Sequence, residues 1–293
     1  MKTYLLLDGH FLCHRAKYTT GGISGLSFDG EPTGIAFGIL RDAELLTDLF
    51  GASVVVWAFD WGGPGLRSQV SPTYKIKRWT REMTEEEEIA HEMFKKEVRR
   101  LQSDLLPALG YRNVYRVRGY EADDILAASA ERIDTDDEAI IVTSDNDLWQ
   151  CVRTNVRCYN PITKKMTTEA SFREEWHLEP VMWAHIKAMA GCPGDGVEGI
   201  AGIGEKTAAG WYTGKLKPTS KKHQLISQNL KVANDNLPLV KLPYPGLELP
   251  EIRDDEVTES RRIRVQQELG IRPRRYAKKE KKMVGRGGFE LDD

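Results

Sequence analysis

Four short apolar runs, each followed by acid, set the terms on which this chain can fold. Tyr4–Leu7 leads into Asp8, and Val54–Phe59 leads into Asp60. Asn113–Val117 precedes the cluster Glu121-Ala-Asp123-Asp124, and Ala139–Thr143 precedes Asp145-Asn-Asp147. Runs of this length and branching read as strands. Between them lie helical patterns over Ile35–Phe50, Thr84–Leu109 and Glu121–Ile133. Gly51 is placed to stop the first helix, and Thr84 with Glu87 makes a capping box for the second. Strands alternating with helices dictate an α/β fold, a mostly parallel sheet flanked by helices on both faces. Ligands of such sheets bind beyond the carboxyl ends of the strands. Asp8, Asp60 and Asp145 fall there, and Glu121 opens a helix that follows a strand.

Carboxylates gathered at one edge repel one another unless a cation lies between them. An oxygen-only cluster suits hard divalent ions such as magnesium or manganese, so metal-dependent chemistry on phosphate is the first expectation. An isolated Asp-x-Asp is ordinarily an exposed turn, and Asp8 or Asp145 alone would serve as a helix cap. Those readings do not explain why four separate segments bring acids to one edge.

The 293 residues allow one large domain or two small ones, and at 40% hydrophobic they supply a sizeable core. No apolar run approaches the ~20 residues of a membrane span. The start, Met1-Lys2-Thr3, lacks the apolar stretch and cleavage site of a signal peptide. Cys13, Cys151, Cys158 and Cys192 form no Cys-x-x-Cys pair and read as reduced thiols in a cytoplasmic protein. A net charge of −2 argues weakly against a nucleic-acid partner, but its distribution argues the other way. No acid occurs between Trp61 and Arg81, a span holding Arg67, Lys75, Lys77 and Arg78. None occurs between Lys206 and Asn234, a span holding five further lysines. Two divalent ions at the acid edge would shift its charge by about +4 and attract phosphate.

Two segments point to nucleic acid. Gly199-Ile-Ala-Gly202-Ile-Gly204-Glu-Lys206-Thr207-Ala permits a tight hairpin between helices. The second helix then opens with backbone N–H groups and Lys206 facing a phosphate. This is the pattern of a helix-hairpin-helix, which holds a DNA backbone without reading bases. Tyr74-Lys75-Ile-Lys77-Arg78, after the glycine-rich start Gly62–Gly65, sets basic side chains beside an aromatic, as single strands require. Arg15, about two turns into a helix after Asp8, is placed to reach a phosphate. The bland readings are a glycine turn for the first segment and a solvated loop for the second. His10 and His14 read as structural, and Glu85–Glu88 as a solvated first helical turn.

The texture changes near Gly191, which suggests a domain over 1–190, a helical subdomain over 191–271 and a basic tail over 272–293. The last short helix is expected over Glu256–Leu269. The tail reads equally well as a solubilising end, a DNA contact or a docking segment for a replication protein.

Together these motifs resemble the 5′-nuclease, or flap endonuclease, family, which includes the 5′→3′ exonuclease domain of bacterial DNA polymerase I and stand-alone phage exonucleases. The resemblance runs from Tyr4 to about Trp211. It implies a PIN-like sheet, two Mg2+ or Mn2+ ions, and hydrolysis of phosphodiesters at DNA 5′ ends, flaps or branches. By position, Asp8, Asp60, Glu121 and Asp123 match the first metal site. Asp145, Asp147 and Asp195 match the second, with Asp124 assisting. The segment about 62–95 matches the helical arch that passes a 5′ flap. Tyr74 matches its stacking residue, and Lys75 and Arg78 match its catalytic phosphate-steering residues. Arg67 lies in the same arch and is assigned to DNA with Gly202, Gly204, Lys206 and Thr207. A K+ ion on the hairpin carbonyls, a monomeric state and a bacterial or phage-infected host are also implied.

One stretch departs from the family. Where Gly-Asp-x-x-Asp-Asn is usual, this chain reads Gly191-Cys192-Pro-Gly-Asp195-Gly196. The missing acid predicts a weaker second metal site. It also keeps open a non-catalytic module that binds branched DNA. A ribonuclease acting on RNA–DNA hybrids is the third reading.

Overall fold

The computed structural model describes residues 1–18, 25–63 and 65–271. Its centre is a six-stranded sheet. Strand β1 (Thr3–Asp8) is followed by helix α1 (Gly9–Tyr18), a small hairpin of β2 (Ser27–Phe28) and β3 (Glu31–Pro32), and helix α2 (Gly34–Phe50). The chain returns as β4 (Val54–Ala58), parallel to β1, with Asp8 opposite Ala58. The arch segment carries two short helices, α3 (Leu66–Val70) and α4 (Ile76–Thr80), and then α5 (Glu85–Arg100). Thr84 and Glu87 exchange both bonds of the expected capping box at the start of α5. A five-residue π turn, Leu101–Leu105, joins α5 to α6 (Leu106–Leu109), so the long helix expected over 84–109 is present with a bulge.

Strand β5 (Asn113–Tyr115), helix α7 (Ala122–Glu131) and strand β6 (Glu138–Val142) follow. Strands β7 (Val156–Asn160) and β8 (Lys165–Thr167) complete the sheet in the order β5-β4-β1-β6-β7-β8. All pairs are parallel except β7 with β8. Strands β1, β4 and β6 are buried on both faces. Leu5, Leu7, Val55, Trp57, Ile140 and Val142 enter one core with α1, α2, α5 and α6. Leu6, Val56, Ala58, Ala139 and Ile141 enter a second core with α7. The strand order reverses at β1, with β4 on one side and β6 on the other, and because all three run parallel their carboxyl ends lie side by side.

A third core belongs to helices α8 (Glu169–Trp176), α9 (Trp183–Ala190), α10 (Glu205–Tyr212), α11 (Lys221–Gln228) and α12 (Leu230–Val240). A two-residue ladder of β9 (Gly191–Cys192) and β10 (Val197–Glu198) interrupts it. Phe172, Trp176 and Trp183 anchor this core, so the helical unit draws on residues before 191. After α12 the chain returns to the sheet. Leu249 enters the second core, and Val265 and Leu269, on and just after helix α13 (Glu259–Glu268), enter the first. The apolar cores therefore divide the chain differently from the 190/191 boundary expected from composition. The tail over 272–293 lies outside the described residues.

Candidate active site

The acids at the sheet's carboxyl edge are fixed by backbone bonds to the turns that carry them. Asp8 ends β1 and is only 8% exposed. Its Oδ1 accepts the Phe11 N–H at 2.9 Å, and its Oδ2 accepts the buried Thr143 hydroxyl at 3.3 Å. Asp60 Oδ1 accepts the Ala122 N–H at 2.8 Å, which ties the end of β4 to the start of α7. Asp145 Oδ1 accepts the Asp147 N–H at 2.8 Å and starts a 3₁₀ turn. Glu121 caps α7. Glu121, Asp123, Asp147, Cys192 and Asp195 line one cavity with Tyr74 and Lys75.

Electrostatics show how closely these groups crowd. Burial, then Asp60, raises the Asp8 carboxyl to about 7. Burial, then Asp145, raises Asp147 to about 6. Burial, Asp145 and Asp8 hold Asp123 well above the carboxylate range. Cationic side chains offset part of this repulsion. Lys75 Nζ donates to Glu121 Oε1 at 2.7 Å and lies 3.7 Å from Asp195. Arg78 pairs with Asp195 at 2.8 Å. Burial opposes the charge on Lys75, but Glu121 and Asp195 outweigh it and raise its pKa.

The donor set suits hard divalent ions. It is made of carboxylates whose mutual repulsion a cation would relieve. Asp147 Oδ1 is buried and its one close partner is the Lys187 ammonium, an ion pair at 3.0 Å that already supplies a cation there. Among the described residues no three His, Cys, Asp or Glu side chains already sit close enough to hold one ion. The fit is therefore one of donor chemistry and charge, and coordination requires the acids to draw together.

Four residues assigned from the sequence are placed differently. Asp124 is fully buried and forms a two-bond ion pair with Arg67, at 2.7 Å on each oxygen. It also accepts the N–H groups of Glu121 and Tyr244, so both of its oxygens are engaged by the protein. Arg67 is 4% exposed and gives two further N–H groups to the Leu239 and Lys241 carbonyls. It is buried as a structural cross-link, with its guanidinium turned to protein partners. The Tyr74 ring is buried with Val197, Leu239 and Val240, and its hydroxyl donates to Glu121 at 2.9 Å, so it is not open to base stacking. Arg15 pairs with Asp42 at 3.0 Å.

The hairpin residues stand apart in the helical unit. Gly202 takes a left-handed φ of +78° and Gly204 is the N-cap of α10. Lys206 and Thr207 lie in its first turn, where the Lys222 ammonium reaches the Thr207 hydroxyl at 3.1 Å. His10 and His14 pack against Phe94, and desolvation lowers both, His14 to about 4, so both rings are neutral, His10 half-buried and His14 at the surface.

Sequence reasoning missed Lys187 and Thr143. Lys187 bonds Asn146 and Glu205 and lies against Asp147, so it bridges the acid edge and the hairpin helix. Its signal was the single charged residue in Trp183–Ala190, a run whose one other polar residue is His185. Thr143 sits directly after β6 and links Asp8 to Asp145 through its hydroxyl. A threonine ending a strand carries no distinguishing signal.

Residues 3–177 match the family model described as 5′-3′ exonuclease, N-terminal resolvase-like domain. A thermostable DNA polymerase I from Thermus thermophilus is 32% identical over 205 residues, 70% of this chain and 23% of the polymerase. The chain thus spans under a quarter of that relative's length. A T5 5′-exonuclease with zinc bound superposes with a TM-score of 0.67 at 22% identity, covering 83% of this chain and 90% of the other. A bacteriophage T5 flap endonuclease in a pseudo-enzyme–product complex with DNA and metal ions superposes at 0.68 with 21% identity and the same coverages. At these identities the likeness is one of fold, and the fold is the PIN-like α/β sheet expected from the sequence.

Proposed function

Because the chain belongs to the 5′-3′ exonuclease family, through that family's N-terminal resolvase-like domain, we propose that it is a structure-selective 5′ nuclease. It hydrolyses phosphodiesters at DNA 5′ ends or flaps, in primer removal or repair, with two divalent ions. The observation that carries this reading is the convergence of acids from β1, β4, α7 and β6 at one sheet edge, beneath a basic arch segment. A flap endonuclease of the same fold is known with DNA and metal ions.

Asp8, Asp60, Glu121 and Asp123 would hold one ion, and Asp145, Asp147 and Asp195 the other. When bound, such ions supply an activated water and neutralise charge on the scissile phosphate. The chain's own residues do the rest. Lys75 is already at the acid edge and is positioned to stabilise charge developing on the phosphate oxygens. Arg78, 56% exposed, steers the strand towards that edge. Thr143 and the backbone N–H groups of Phe11, Ala122 and Asp147 hold the carboxylates in place. The start of α10, with Lys206, Lys222 and Thr207, holds duplex backbone, aided by K+ on the hairpin carbonyls. RNA–DNA hybrids are further substrates, and the working form is a cytoplasmic monomer. No helix among the described residues is long and apolar enough to cross a membrane.

Cleavage of a 5′-labelled flap with magnesium, manganese or chelator, beside Asp145→Ala, tests this proposal. Metal-dependent products that vanish in the variant are expected. Tight flap binding with no cleavage in either metal would establish the binding-module reading, which Cys192 favours.

A further inference from the structure

We propose that Cys192 and Gly196 form a seat for the root of the arch and that this seat positions Lys75. The inference rests on the nuclease reading for its function and on geometry for its existence. Both residues depart from the family pattern, and both face the same segment, Thr73–Lys75. Gly196 adopts φ +74°, and a side-chain carbon there would run into the Thr73 carbonyl oxygen and lie 3.3 Å from its carbon. The Lys75 N–H donates to the Asp195 carbonyl at 2.7 Å, so the two turns are joined backbone to backbone. An asparagine at 196 has no room beside that junction.

Cys192 supplies the second wall. It is 9% exposed and shares one buried apolar cluster with Tyr74, Val197, Leu239 and Val240. Its Sγ lies 4.0 Å from Asp147 Oδ2. A carboxylate at 192 would face Asp147 and place charge in the cluster that buries the Tyr74 ring. With the ring seated, the Tyr74 hydroxyl reaches Glu121. The next residue, Lys75, is held at φ +53°, a left-handed conformation that non-glycine residues rarely adopt. That turn sends its ammonium to the other oxygen of Glu121. Cys192 and Gly196 touch no substrate in this account. They act through Lys75, and the lost family residues are the price of a fixed lysine.

Hydrogen exchange in chelator and steady-state flap cleavage with metal test the seat together. In the wild type the Lys75 amide should be protected. Gly196→Ala and Cys192→Asp should each remove that protection while amides of β1, β4 and β6 keep theirs. In cleavage, Gly196→Ala should lower kcat by about tenfold or more with little change in KM. In a Lys75→Ala background the same substitution should add almost nothing. An unprotected Lys75 amide in the wild type overturns the proposal, even if neither variant folds. Equal losses of kcat in both backgrounds, or a rise in KM alone, would also overturn it. If the wild type cuts no flap, the nuclease reading fails, and the exchange data alone decide whether the seat exists.

Discussion

Burial turns the carboxylates of this edge from surface charges into linked groups. Asp8, pushed up to about 7 by burial and Asp60, binds its proton more tightly folded than unfolded, where an aspartate titrates at about 4. Such a group contributes stability that is fully present below about pH 4 and is lost as pH rises through about 7. Asp147, raised to about 6, adds to the loss. In chelator, therefore, the melting temperature should fall between about pH 4 and about pH 7, and Asp8→Asn should flatten that fall. Asp255, also raised to about 6 by burial, leaves a residual slope in the variant. A profile unchanged by Asp8→Asn would show that Asp8 is not strained in solution. Asp195 was reached only through the family resemblance, whereas the acids that follow β1, β4, β5 and β6 were legible in the sequence because each cluster followed an apolar run. Their division of labour was not. Asp123 and Asp124 are neighbours, yet one faces the acid edge and the other turns inward to Arg67.

Among the elements, the short helix α3 is tied to α7 by that Arg67–Asp124 pair, and to the chain after α12 by the Leu239 and Lys241 carbonyls. Replacing Arg67 with methionine would leave a buried carboxylate without its partner, which costs about 3–5 kcal/mol. Urea unfolding should show that loss, while the salt dependence of DNA binding stays at its wild-type slope. A shallower slope with unchanged stability would restore Arg67 to the DNA contacts. Elements with strong local signals were read to within a few residues. Strands β1, β4, β5 and β6, α2 with its Gly51 stop, and the α5 capping box belong to this group. Strands β7 and β8 were missed. Val156–Asn160 mixes arginine and asparagine into a strand nearer the edge, and Lys165–Thr167 is a three-residue antiparallel edge. Tyr74 was misread because a tyrosine beside basic residues looks the same in sequence whether its ring is open or buried.

At the scale of the molecule, the sheet is completed by residues far along the chain. Asp255 accepts the N–H groups of Val55 at 2.7 Å and Arg112 at 2.9 Å, beside β4 and β5. Asn113 exchanges bonds with the Arg253 backbone, and Glu256 donates its N–H to the Gly110 carbonyl. Val265 and Leu269 are buried in the same core as Leu5 and Trp57. A fragment ending at residue 190 should accordingly fail to give cooperative thermal unfolding, whereas one ending at 271 should retain it. Cooperative melting of the shorter fragment would refute this dependence. Composition suggested a cut at Gly191 because glycine becomes frequent there. It could not reveal that the chain comes back, since the returning stretch is proline-rich and weakly patterned.

That return also sets a schedule for synthesis on the ribosome. Strands β1 and β4 emerge early, but the residues that bond the start of β4 and seal their core emerge some two hundred positions later. Through most of translation the nascent sheet waits with apolar surface uncovered, a state in which chaperones and neighbouring chains compete for it.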